Sequence, residues 1–131
     1  MGNPEEPKER RRHQRFLAKD SVFAVCIPTY VKLGRVVDIS SGGVAFHYVP
    51  DFGDEKAFCR SSCNLDVFET ESSRYLKGVE CNIVYDSEVP RLTSLSDAYH
   101  FRRCGVEFGG LSRDQFDELD FIIKNFTAEE I

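Results

Sequence analysis

Between Tyr75 and Tyr85 the apolar residues Val79, Cys81, Ile83 and Tyr85 occupy every second position. That period puts them on one face of an extended strand and excludes a helix, whose faces recur at three and four residues. The same alternation holds for Val44, Phe46 and Tyr48 within Val44–Val49, and for Cys104, Val106 and Phe108 at the end of Tyr99–Phe108. Leu65 and Val67 share a face within Asn64–Thr70. Two further runs rich in β-branched and aromatic residues are Ser21–Ile27, bounded by Asp20 and Pro28, and Gly34–Ile39, where Gly34 marks a turn. About six strands on short connections, without internal repeats or strand–helix alternation, predict a mainly β fold: a small six-stranded antiparallel barrel.

Only the last stretch changes period. Phe116, Leu119, Ile122, Ile123 and Phe126 recur at helical spacing, and Ser112 with Gln115 forms a capping box ahead of them. A C-terminal helix over 112–126 follows, packed by its apolar stripe on an open end or face of the sheet. Pro50–Ser62 and Ser87–Ala98 are polar and read as loops.

At 131 residues and 41% hydrophobic content the chain can bury one core without staples. Its longest apolar run, Val22 to Ile27, is far short of the roughly 20 residues that span a bilayer. The acidic N-terminus has no apolar leader, so the chain reads as cytoplasmic, without membrane insertion. Cys26, Cys59, Cys63, Cys81 and Cys104 read as reduced thiols. Cys59-x-x-x-Cys63 has no second Cys/His pair at ligand spacing, so no metal is expected.

Charge is unevenly spread. Lys8 to Lys19 holds six basic residues against Glu9, a balance of +5, leaving −10 for the rest of a chain whose total is −5. An acidic body repels a long polyanion everywhere except at that arm, which excludes DNA and RNA as partners. A small, dense anion fits better.

Two spacings carry the chemistry. Arg11-x-x-x-Arg15, with Arg10 just ahead, puts guanidinium groups on a lead-in that can reach phosphate and the edge of guanine. Asp38-x-Ser40-x-x-Gly43 places a carboxylate, a hydroxyl and Gly42-Gly43 in a turn between two strands. Asp38 can accept from ring and exocyclic N–H groups, and Ser40 can bond a ligand or tie down the turn. The glycines permit close backbone approach or positive φ.

Together, and with Gly105-Val106-Glu107-Phe108 ahead of the terminal helix, these motifs resemble the PilZ domain family. The resemblance implies a six-stranded β-barrel that binds the bacterial second messenger cyclic di-GMP, with no other cofactor. Arg11 and Arg15 would hold phosphate and guanine, and Asp38, Ser40 and Gly43 would line the base-binding side. Arg10 would stack on a guanine or admit a second, intercalated ligand molecule. The expected layout is a disordered tail over 1–9 and one domain over 10–131. Within it 10–15 is a flexible ligand-binding arm, 21–108 the barrel and 112–126 the helix.

The mechanism expected is an arm that orders on ligand binding and changes the surface shown to a protein partner in motility, pilus, exopolysaccharide or transcription machinery. No nucleophile–base set stands in recognisable context, so the chain reads as a non-enzyme. The alternative is a PilZ-like protein-interaction module that binds no nucleotide.

Overall fold

The computed structural model describes residues 13–27, 32–50, 62–89 and 101–131. Arg10, Arg11, Cys59 and most of the two polar loops lie outside the described residues. The strands are β1 (Phe16–Ala18), β2 (Val22–Ile27), β3 (Lys32–Ile39), β4 (Gly43–Tyr48), β5 (Ser62–Glu69), β6 (Arg74–Glu88), β7 (Arg102–Phe108) and β8 (Thr127–Glu130). One helix, α1 (Arg113–Asn125), precedes β8.

Hydrogen bonding runs β2-β5-β6-β7-β4-β3, and β3 returns to β2, so six antiparallel strands close on themselves. Closure removes the free edges that an open sheet of this size would expose. The six are the runs read as strands, four from their alternation and two, β2 and β3, from their β-branched and aromatic content. β1 and β8 lie outside the ring, β1 pairing with β3 and with β8. Both are too short to show a period, and the sequence reading missed them.

Inward positions follow the alternation: Val44, Phe46 and Tyr48 on β4, Cys104, Val106 and Phe108 on β7, Leu65 and Val67 on β5 all join one core. Tyr85 does not. β6 shifts register against β7 between Ile83 and Tyr85, so Val84 is an extra residue and the faces exchange beyond it. Asp86 then points inward, where its carboxylate accepts from Tyr48 Oη at 2.7 Å and pairs with Arg102 Nε at 2.8 Å. Lys32, also buried, sits with its Nζ 4.7 Å from the Tyr48 ring centre. The buried charges are thus partnered, as they must be away from water.

Gly34 is a strand residue and not a turn. It pairs with Tyr48 across β3–β4, and a Cβ there would run into the His47 carbonyl. Glycine is required by close approach of two backbones.

In α1, Ser112 Oγ accepts from the Gln115 amide at 3.1 Å, and Gln115 Oε1 accepts from the Ser112 amide at 2.9 Å. Leu119 and Ile122 are fully buried against the barrel, with Ile123 and Phe126 packed beside them. Phe116, expected on this face, is 47% exposed. Arg74 fixes the helix to β6, pairing with Glu118 at 3.0 Å and lying 3.7 Å over the Phe121 ring.

Candidate functional site

The connection between β3 and β4 is built on its own side chain. Ser40 Oγ accepts from the amides of Gly42 at 3.0 Å and Gly43 at 3.2 Å, while the Ser40 amide donates to the Gly43 carbonyl at 2.9 Å. Ser40 therefore ties down the turn, the structural half of the role read for it. Neither glycine adopts positive φ, so the other half of their expected freedom, close approach, is what the turn uses. A Cβ on Gly43 would run into the Val106 carbonyl of β7, and one on Gly42 into the His13 imidazole.

His13 ends the lead-in from the arm. It is hydrogen-bonded through Nδ1 to Ser41 Oγ at 2.8 Å. The lead-in is then held by β1, and the Arg15 carbonyl accepts from the Ile131 amide at 2.8 Å. Arg15 thus reaches the same groove as Asp38, Ser40, Gly42 and Gly43, a concavity of about 900 Å³ on the outside of the barrel.

A second bulge aims Asp38. β3 shifts register against β4 between Val36 and Asp38, which makes Val37 the extra residue. Val36 and Ile39 face the core, and Asp38 is turned outward onto the groove, although neighbouring side chains leave it only 6% exposed. The bulges at Val37 and Val84 have matched effects. Asp38, Ala45, Gly105 and Tyr85 lie directly opposite one another across β3, β4, β7 and β6. Two small residues form a floor between a carboxylate and a phenol. Gly105 has to be small, since a Cβ there would run into the Tyr85 ring.

Arg103 joins the two walls. Its Nη2 donates to Asp38 Oδ2 at 2.6 Å and its Nε to Tyr85 Oη at 2.9 Å. Directly across from Arg103 on β4 is His47, and across from that on β3 is Arg35. Burial, with Arg103 and Arg35 on either side, lowers the His47 pKa from its ordinary 6.5, so the imidazole is neutral at pH 7. Arg15 lines the groove and Arg103 bridges its two walls, with Asp38 as the inner acceptor.

Sequence reasoning missed Arg103, Tyr85, Gly105 and His13. Gly105 was legible within Gly-Val-x-Phe, but the other three depend on bulges or on a contact across the fold. The chemistry available is recognition: guanidinium donors for anionic or acceptor groups, a carboxylate for N–H donors, and an aromatic wall. Among the described residues, no group of His, Cys, Asp or Glu side chains is arranged to hold a metal ion. No described helix is long and apolar enough to cross a membrane.

No protein-family profile and no curated relative matches the chain. Solved structures do. The PilZ domain of YcgR from Escherichia coli, determined with c-di-GMP, has a TM-score of 0.67 at 17% identity, covering 89% of this chain and 91% of that one. MrkH of K. pneumonia, described as a c-di-GMP-dependent transcription regulatory factor, has a TM-score of 0.66 at 15% identity over 89% of this chain. The Bacillus subtilis inhibitor of motility MotI/DgrA has a TM-score of 0.62 at 20% identity over 95% of this chain. The match spans 51% of MrkH and 56% of MotI, about half the length of each. Barrel closure, the two outer strands and the terminal helix together give this chain the fold of the PilZ domain.

Proposed function

We propose that the chain is a PilZ-type receptor for cyclic di-GMP, acting by binding and not by catalysis. The observation that carries this is the convergence of Arg15 with Asp38, Ser40 and Gly43 on one groove of about 900 Å³, at the spacings the resemblance requires. The structural neighbours support the ligand class, since YcgR and MrkH were both solved with c-di-GMP. In this reading Arg15, with Arg11 and Arg10 from the arm, supplies charge-assisted bonds to phosphate and to the guanine O6/N7 edge. Asp38 accepts from guanine N–H groups, the Ser40 turn holds Gly42 and Gly43 against the ligand, and Tyr85 walls the far side. Arg103 keeps Asp38 aimed until a base arrives.

The proposed layout is one domain over 10–131, with 1–9 as a tail and 10–15 as an arm that orders when ligand binds. Ordering costs conformational entropy, which phosphate–arginine contacts offset. The ordered arm then presents a new surface to a protein partner of the motility, pilus, exopolysaccharide or transcription kind. We place the protein in the cytoplasm, where such a messenger is made and read.

One observation favours a second reading. Asp38 is already satisfied by Arg103 at 2.6 Å, so a ligand has to share it. A domain that binds no nucleotide and serves only as an interaction module would keep this pair closed. Calorimetric titration with cyclic di-GMP, with linear pGpG and GTP as controls, decides between them. Selective binding at micromolar or tighter supports the receptor. No heat and no thermal stabilisation at about a hundred micromolar ligand supports the module.

A further inference from the structure

Four cysteines, Cys26, Cys63, Cys81 and Cys104, are buried in the barrel interior, away from the groove. Cys63 is hydrogen-bonded to both Cys26 and Cys81, but it faces only Cys81 squarely. Cys63 on β5 and Cys81 on β6 are directly opposed in register, and their Sγ atoms lie 3.2 Å apart. Directly opposed residues hold their Cβ atoms about 4.5–5.5 Å apart, within about an ångström of what a disulfide needs, whereas diagonal neighbours stand at roughly 7–8 Å. Cys26 is opposite Leu65 and so diagonal to Cys63. Cys63 is the second residue of β5 and retains 7% exposure, more than any other of the four.

We propose that Cys63 and Cys81 are an oxidisable dithiol that closes into a cross-strand disulfide when hydrogen peroxide is the oxidant. Cys63 is the nucleophile. Hydrogen bonds from Cys26 and then Cys81 lower its thiol pKa from the ordinary value against the opposing effect of burial, and hydrogen bonding to Cys63, with burial, pushes Cys26 and Cys81 up. The Cys63 thiolate attacks one peroxide oxygen and the O–O bond breaks. Sulfur loses two electrons, the departing hydroxide takes a proton to become water, and Cys63 is left as a sulfenic acid. Cys81 sulfur then attacks the Cys63 sulfur, the S–O bond breaks, and the Cys81 proton leaves with the hydroxide as a second water. The balance is two thiols and one peroxide to one disulfide and two waters.

The test is a peptide map of the full-length folded protein, reduced, exposed to hydrogen peroxide, then unfolded with an alkylating agent present. The expected product is a single linked pair of peptides containing Cys63 and Cys81, with Cys26 and Cys104 alkylated. Cys63→Ala and Cys81→Ala should each abolish that link, and each remaining partner should be recovered as a thiol or a sulfenic acid. The proposal is overturned if the link runs to Cys26, Cys59 or Cys104. It is equally overturned if Cys63 and Cys81 are both alkylated in full after a peroxide dose that oxidises the cysteines of the urea-unfolded protein. The map is read on the unsubstituted chain, so poor folding of either variant leaves the result intact.

Discussion

Asp38 and Arg103 are 65 positions apart, yet their carboxylate and guanidinium meet at 2.6 Å at one wall of the groove. The bond spans β3 to β7 with β4 between them, and it forms only because the bulge at Val37 turns Asp38 outward. Asp38 keeps 8% side-chain exposure and Arg103 34%. The pair is intermediate between a surface bridge and a buried one.

Its coupling is measurable. Arg103→Ala leaves a largely desolvated carboxylate without its main partner and should lower stability by about 1–2 kcal/mol, the fully buried figure reduced for Arg103's solvent access. Asp38→Asn should recover part of that loss in the double variant. A urea-denaturation double-mutant cycle should give a coupling of about 1 kcal/mol or more, and a value near zero would mean the bond is ornamental.

Ligand affinity should respond to the same residues in a different pattern. Arg11→Ala, Arg15→Ala and Asp38→Ala should each weaken cyclic di-GMP binding by about ten- to a hundred-fold, from about 1.5–3 kcal/mol per charge-assisted contact. If Arg11→Ala and Asp38→Ala both titrate like the parent protein, the site assignment is wrong.

Adjacent glycines should behave unequally. Gly43→Ala drives a methyl group into the Val106 carbonyl, which belongs to a barrel strand and cannot yield, so a loss of about 2 kcal/mol or more is expected. Gly42→Ala meets only the His13 ring, a side chain near the start of the described chain, which can move aside. Its cost should stay under about 1 kcal/mol and should fall further in a His13→Ala background. Thermal melts of the parent, the three single variants and the Gly42→Ala/His13→Ala double variant would show this.

Acid sensitivity should trace to Glu69. Burial alone would raise its pKa, but hydrogen bonds from the Ser21 and Ser72 side chains and from the Glu71 and Ser72 amides outweigh it, holding the carboxyl down at about 2 from an ordinary 4.5. Two of these bonds, from the Ser72 amide and Ser72 Oγ, measure 2.6 Å. A depressed folded-state pKa means the contribution is complete above about pH 4.5 and is lost as pH falls toward about 2. Glu69→Gln should flatten the pH dependence of stability in that window and leave its shape above pH 5 unchanged. A curve that stays as steep as the parent's would show that another carboxylate is responsible.

What was legible in the sequence was local. The Ser112–Gln115 capping box, the period-two runs of β4 to β7 and the β-branched and aromatic runs of β2 and β3 depend on neighbours within a few residues, and they appear where the residues say. Alternation fails at Tyr85 because one extra residue, Val84, exchanges the faces, and nothing in the spacing marks a bulge. Gly34 was misread because a glycine that makes a turn and one that admits a neighbouring backbone look alike in a string. β1 and β8 have too few residues to carry a pattern. Within the groove, Asp38, Ser40 and Gly43 were legible from their spacing, whereas Arg103 and Tyr85 acquire their roles only when four strands are laid side by side.

The pairing of β1 with β8 has a geometric consequence. The Arg15 carbonyl is bonded to the Ile131 amide and the Lys19 amide to the Phe126 carbonyl, so the two ends of the described chain are laced together outside the ring. β1 is also paired with β3, so the residues next to Arg15 touch the barrel and the segment after α1 at once. Whatever residues lead into Arg15 therefore enter the fold within two hydrogen-bonded steps of its last strand.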